Sequence, residues 1–234
     1  MGTDTAAPVW NHHYGKPSAG SLSKHHLLDK PVNIAIFGAT GATGRRFCRR
    51  ALDNGHQIVP FSFRRTVIEG VDEVQSTPID LNDDSAVYQA LARVDVIVST
   101  IGGEDSSRAS GIERLVQNAQ QQGIKRIVAI GGAGILSLPG GEFLKDQSFF
   151  PKFLVPISNA HYDAWQILAN SPLNWTMICP GMMTDGVSEA SYRHQADSPV
   201  SDMKNVLHDD VAHLILECLE QETYITKRVS ISNP

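Results

Sequence analysis

From residue 32 onward the chain alternates short β-branched runs with stretches whose apolar residues recur at helical spacing, and before that point it does neither. Residues 32–37 (VNIAIF) predict a buried strand. Residues 45–54 carry Phe47 and Ala51 four apart, which predicts an amphipathic helix stopped at Gly55. Further strands are expected over 57–63, 73–79 (a short third strand), 94–100 (VDVIVST), 126–130, 175–179 and 228–231. Further helices are expected over 85–93, with Val87 and Leu91 on one face, and over 110–122, burying Ile112, Leu115, Val116 and Ala119. Two more are expected over 158–169 and 209–219. Strands separated by helices of this length specify a parallel sheet covered on both faces. The fold class is therefore α/β, a doubly wound parallel sheet in a single domain spanning 31–234.

Three stretches break the pattern. Residues 1–30 hold Pro8, Gly15, Pro17 and Gly20 without any sustained period and read as an irregular N-terminal arm. Residues 131–157 contain GGAGILSLPGG, Pro151 and Pro156, and residues 182–206 are similarly irregular. Both follow strands at their carboxyl ends, where open parallel sheets place ligands, so they are expected to lie over that sheet edge and line a substrate cleft.

The junction between the first strand and first helix is GATGATG, residues 38–44. Gly38 permits the tight exit from the strand, Gly41 lets the backbone approach a pyrophosphate, and Gly44 lets the helix lie close to the sheet. Thr40, Ala42 and Thr43 complete the turn, whose amide groups and positive helix end suit phosphate. The spacing is not that of an ATP-hydrolysing P-loop, and no lysine follows. A Rossmann-like dinucleotide-binding sheet is the expectation. The second strand ends in Arg64 and Arg65, where an NAD site wants a carboxylate on the ribose 2′-hydroxyl. Two guanidiniums there suit a 2′-phosphate, which favours NADP(H). Asp80 and Leu81, after the third strand, are expected to border the adenine. Thr100, Ile101, Gly102 and Gly103 are expected to run beneath the pyrophosphate and ribose.

Composition narrows the partners. A net charge of −5 argues against nucleic acid or an anionic membrane as a general partner. No apolar stretch reaches the ~20 residues needed to span a bilayer, and the polar, proline-broken start is no secretory signal. Cys48, Cys179 and Cys218 are odd in number, far apart and without CxxC spacing, which points to a reducing, cytoplasmic setting. His12, His13, His25 and His26 lie in the irregular arm, where nothing suggests the convergence that a metal demands, so no metal is expected.

Five segments in this order, IAIFGATGATG, VDVIVSTIGG, GIKRIVAIGGAG, LNWTMICPGMM and HDDVAHLILECL, resemble the atypical short-chain dehydrogenase/reductase superfamily. The likeness runs from about Val32 to Ile231. It is greatest to the NAD(P)H-binding or NmrA-like branch and, within it, to the flavin reductase/biliverdin-IXβ reductase group. The resemblance implies that Pro180 borders the cofactor and that the loop after it, with Met182, Met183 and Tyr192, borders nicotinamide and substrate. Such side chains suit an apolar, adaptable wall; Phe143, Phe149 and Phe150 are candidates for the opposite wall or a lid.

The departures from the superfamily bear on the chemistry. Most members pair a tyrosine acid with a lysine four residues on and add a serine after the preceding strand. The matching positions here are Ile157, His161 and Gly131–Gly132. An aliphatic side chain cannot protonate an alkoxide, so alcohol or ketone chemistry by that set is disfavoured. The flavin/biliverdin reductase group likewise lacks the pair and keeps a histidine at the lysine position. Hydride transfer to a conjugated acceptor demands less of a protein acid, since delocalisation spreads the developing charge. His161 is then the catalytic candidate, as general acid or cofactor-ribose ligand; the alternative is a helix-face histidine bonded to a neighbour. Trp165, four residues on and on the same face, stacks on a planar substrate or joins the core. Tyr162 lies ~100° away around the helix. Asp209 and Asp210 suit a helix start and receive no chemistry.

The leading expectation is an NADP(H)-dependent oxidoreductase that passes hydride to a small planar or conjugated acceptor, flavin- or tetrapyrrole-like, working as a monomer or homodimer. The alternatives are a non-catalytic NmrA-like NADP(H) sensor and a non-redox isomerase or epimerase on the same fold.

Overall fold

Each central strand is apolar on both faces, which is what two covering layers of helix require. In the computed structural model, which describes residues 31–71, 74–102 and 107–234, the elements run as follows. The first half holds β1 (Asn33–Phe37), α1 (Ala42–Asp53), β2 (Gln57–Ser62), β3 (Thr77–Pro78), α2 (Asp84–Ala90), β4 (Val96–Ser99) and α3 (Ser107–Gln122). The second half holds β5 (Arg126–Ile130), three short 3-10 turns, α4 (Val155–Ala169), β6 (Asn174–Pro180), β7 (Met183–Thr184), β8 (Arg193–Ala196), β9 (Val206–Leu207), α5 (His208–Glu220) and β10 (Lys227–Ser232). The arm expected over 1–30, its four histidines and Gly103 lie outside the described residues.

The strand order is β3-β2-β1-β4-β5-β6-β10-β8, with β8 antiparallel to β10 and the others parallel. Alternate side chains divide between two cores. Ile34, Ile36, Val96, Val98, Val128, Ile178 and Val229 face α1 and α5. Ala35, Phe37, Ile97, Ile127, Ala129, Met177 and Cys179 face α2, α3 and α4. Because β2 and β4 flank β1, the chain winds outward from β1 in both directions. The crevice at the carboxyl ends of β1 and β4 is the switch point where open sheets of this kind bind ligands.

Several expectations are corrected. The sheet is mixed, because the irregular 182–206 segment supplies β8. Arg193-His194-Gln195-Ala196 is polar enough for an edge strand and shows no apolar alternation for a sequence reading to find. The third strand shrinks to Thr77–Pro78, since proline lacks the donor that would extend the ladder. Helix α4 starts at Val155 rather than 158, with Pro156 tolerated in a first turn whose amides have no helical partner. α1 and α3 each start three residues earlier than expected. Among the described residues no helix is long and apolar enough to cross a membrane.

Candidate functional site

The turn between β1 and α1 is built as the glycine spacing implies. Gly38 has φ +88°, a conformation that suits glycine, and a Cβ there would sit 2.8 Å from the Thr100 carbonyl oxygen. The Gly38 and Ala39 amides both donate to the Phe61 carbonyl, and Gly41 N donates to Gly38 O at 3.0 Å. A Cβ on Gly44 would come within 2.2 Å of Gly38 O, so the helix start is pressed against the turn. Thr100 locks it from below, its hydroxyl 3.2 Å from Phe37 O and 3.0 Å from Gly38 O.

Helix α1 has Gly41 as N-cap with no side-chain cap, and its first ladder bond is Arg45 N to Gly41 O. The amides of Ala42, Thr43 and Gly44 precede that bond and have no carbonyl within the helix to use. They form a donor set with positive helix-end potential. Gly41 is exposed, so nothing bars a phosphate from its backbone. Thr43 is buried, with Oγ1 2.9 Å from His208 Nδ1 and 3.9 Å from Met183 Sδ.

Beside this turn lies a cleft of about 380 Å³ over the carboxyl ends of β1, β2, β3 and β4. Gly38, Thr40, Asp80, Leu81, Ile101 and Gly102 line it, six of the residues expected at a dinucleotide site. Sequence reasoning missed Ser62 and Phe63 at the end of β2, Ile79, Asn82, and Ser107 and Ser110 on α3. The signal for Ser62 and Phe63 was their place at a strand's carboxyl end. The serines at i and i+3 of α3 were legible only once that helix was known to start at Ser107. Asp80 is already engaged, its Oδ1 accepting from Asn82 N and Nδ2. Arg64 and Arg65 are exposed and follow Phe63 in the chain; the Arg64 guanidinium carbon stands 6.0 Å from the centre of the Phe63 ring. A mostly apolar cleft beside the glycine turn, with Arg64 next to its Phe63, has the size and lining to take the adenosine half of a dinucleotide.

His161 lies on α4, 7% exposed, with its ring edge against the chain after β5. A Cβ on Gly132 would meet its Cδ2 at 2.8 Å, and one on Gly131 would meet Met177 Sδ at 2.7 Å. A serine at either position would displace a packed neighbour. Burial, and then the positive charge of Arg108, push the His161 pKa down from 6.5 to about 3. The imidazole is therefore neutral near pH 7, and its Nδ1 is buried without a hydrogen-bond partner among the described residues.

The expected substrate residues do not converge. Trp165 packs with Tyr162 (5.5 Å) and Phe143 (5.7 Å), and Arg228 lies 4.3 Å over its ring, so the structure places it in the packing between α4 and the sheet. Tyr192 donates to Glu217 at 2.6 Å and lies 2.7 Å from His213 Nδ1, which ties the chain just before β8 to α5, away from the cleft. Met183 packs on the α1/α5 core, Pro180 is buried at the end of β6, and Met182 is exposed at 61%. Phe149 is exposed at 70%, whereas Phe150 sits beside Gly134. The N-cap of α5 is Leu207 rather than an aspartate. Asp209 pairs with Arg50 at 2.8 Å, and Asp210 accepts from Ser188.

Residues 38–222 match the family model described as NAD(P)H-binding. A candidate exported protein from Burkholderia pseudomallei is 30% identical, with a TM-score of 0.77 over 86% of this chain and 99% of that one. A candidate NADH-flavin reductase from Streptococcus pneumoniae is 21% identical, with a TM-score of 0.72 over 87% and 100%. A short-chain dehydrogenase/reductase from Veillonella parvula, in complex with NADP, is 17% identical, with a TM-score of 0.67 over 87% and 95%. The last two likenesses concern the fold.

Proposed function

The chain belongs to the NAD(P)H-binding family, and from that premise we propose that it is an NADP(H)-dependent reductase handing hydride to a flavin- or tetrapyrrole-like acceptor. The observation that carries this reading is the packing of His161 against Gly132. It fills the place where a serine of the superfamily's usual set would stand and leaves an uncharged ring there. An acceptor that delocalises charge needs no strong protein acid. The Streptococcus pneumoniae protein, named for flavin reduction, lends the reading support through its fold.

The amides of Ala42, Thr43 and Gly44 hold the pyrophosphate, and Arg64 and Arg65 take the 2′-phosphate. Asp80, Leu81, Ile101 and Gly102 border adenine and ribose. When bound, the cofactor supplies the hydride from its nicotinamide ring. Of the two roles open to His161, its burial favours ribose ligand over general acid, and water supplies the proton. Met182, exposed beyond β6, stands on the substrate side, with Met183 packed behind it on the α1/α5 core. The protein works in the cytoplasm, where its three buried thiols stay reduced, as a monomer or homodimer.

The test is NADPH consumption on addition of flavin mononucleotide or a biliverdin. Turnover, lost when Arg64 and Arg65 are both changed to Ala, is the expected result. Tight NADPH binding without turnover on flavins, biliverdins and quinones would overturn the reductase reading. It would instead support the NADP(H)-sensing, NmrA-like reading, which the absence of a charged acid at His161 also favours.

A further inference from the structure

Between β2 and β3 the chain leaves the sheet and returns as a narrow two-stranded excursion. Val67 and Gln75 face each other antiparallel, Ser76 N donates to Thr66 O at 2.9 Å, and Ile68 N donates to Val74 O at 3.0 Å. Arg64 and Arg65 sit at its mouth. Beneath them two buried hydroxyls meet: Ser62 Oγ lies 2.7 Å from Ser76 Oγ, with Ser62 8% and Ser76 1% exposed. Ser62 Oγ donates to Arg64 O. Ser76 Oγ accepts from Thr66 N at 3.2 Å and has Arg64 O and Thr66 O each 3.2 Å away.

A hydroxyl has one proton and two lone pairs, and here the backbone partners of the pair are all groups of Arg64 and Thr66. A buried hydroxyl costs free energy unless bonded, so packing alone would be served as well by alanine. The bonds fix the main chain on both sides of Arg65. Fixing it matters because two long exposed side chains lose much rotamer freedom when they grip a ligand. A stationary root lowers what remains to be ordered. The cleft begins one residue away, at Ser62 and Phe63, with the Arg64 guanidinium over the Phe63 ring.

We infer that Ser76, a residue that does not line the cleft, is a positioning residue for 2′-phosphate recognition, acting through the backbone of Arg64 and Thr66. The inference rests on the NADP(H) reading above. Its test is calorimetric binding of NADP⁺ and of NAD⁺ to the full chain carrying Ser76→Ala. NADP⁺ affinity is expected to fall about tenfold, or about 1.4 kcal/mol, with NAD⁺ affinity held within about twofold. Exchange of the Thr66 amide with solvent is expected to quicken in the same variant. Ser76→Cys, close in size and a weaker donor, is expected to fall between wild type and Ser76→Ala; it carries the test should the alanine variant not fold. Equal weakening of both nucleotides, or an unchanged ratio in the folded variants, would overturn the inference. If changing both Arg64 and Arg65 to Ala leaves NADP⁺ affinity intact, the NADP(H) reading itself fails. If that double change weakens NADP⁺ while the Ser76 variants keep the ratio, only the role of Ser76 fails.

Discussion

Replacing His161 by Leu tests the claim that burial keeps this ring uncharged. In the folded protein its pKa is lowered from 6.5 to about 3, chiefly by desolvation and then by Arg108. Below about pH 6.5 the unfolded chain takes up a proton on this residue and the folded chain does not. The contribution is therefore fully present above about pH 6.5 and declines as pH falls toward about 3. Each unit is worth about 1.36 kcal/mol, so two units of descent, to about pH 4.5, remove about 2.7 kcal/mol; the full span of about 3.5 units gives a ceiling of about 5 kcal/mol. That is a large part of the stability of an ordinary domain, about 5–15 kcal/mol. The assay is urea unfolding followed by tryptophan fluorescence, near neutral pH and near pH 4.5, on wild type and His161→Leu. Carboxylates that titrate in the same window act in both proteins and cancel in the difference of differences. Wild type is expected to lose about 2–3 kcal/mol more than the variant, with similar m values. Equal losses would refute the reasoning. They would mean that the folded protein accommodates a protonated His161, which would restore it as a charged acid for catalysis.

Gly44→Ala is expected to abolish NADPH binding, read by nucleotide fluorescence, because its Cβ would lie 2.2 Å from Gly38 O and push the helix start off the turn. Arg126 is 6% exposed, with its pKa brought down to about 10 by burial, and it donates to Asn174 O at 2.9 Å and Cys218 O at 3.0 Å. Arg126→Met should cost about 2–3 kcal/mol in urea unfolding, since carbonyls lose their buried donor. Tyr192→Phe removes the bond to Glu217 at 2.6 Å and should cost about 1 kcal/mol while leaving NADPH affinity unchanged. A large loss of affinity there would return Tyr192 to the cleft.

Much of the fold was legible because it is written in local spacing. The two-residue alternation of IAIF and VIVS sends neighbours to opposite cores, and a strand apolar on both faces has to be covered twice. The glycines at 38, 41 and 44 were equally legible, since each answers a steric demand within a few residues of itself. Element boundaries were less so. The start of α1 lacks a side-chain cap, and Pro156 reads as a breaker until its place in the first turn of α4 is known. Of the expected residues, those around the turn and after β3 and β4 share one cleft, whereas Trp165 and Tyr192 do not line it. Trp165 and Tyr192 carry the residue types of a pocket wall, but a sequence does not say which neighbour claims a ring. Arg228 claims the first, and Glu217 and His213 the second.

By itself, then, the sequence determined the doubly wound sheet, the glycine turn after β1 and the pair of arginines that follows β2. Those follow from periodicity and backbone sterics, which act over a few residues. Only the tertiary structure decided that β8 turns antiparallel at the sheet edge, that two serines fourteen positions apart share one buried hydrogen-bond knot, and that His161 is uncharged. The last depends on Gly132 after β5, Arg108 on α3 and the helix bearing the histidine. Their juxtaposition sets the local dielectric and field, and no segment of chain carries that information alone.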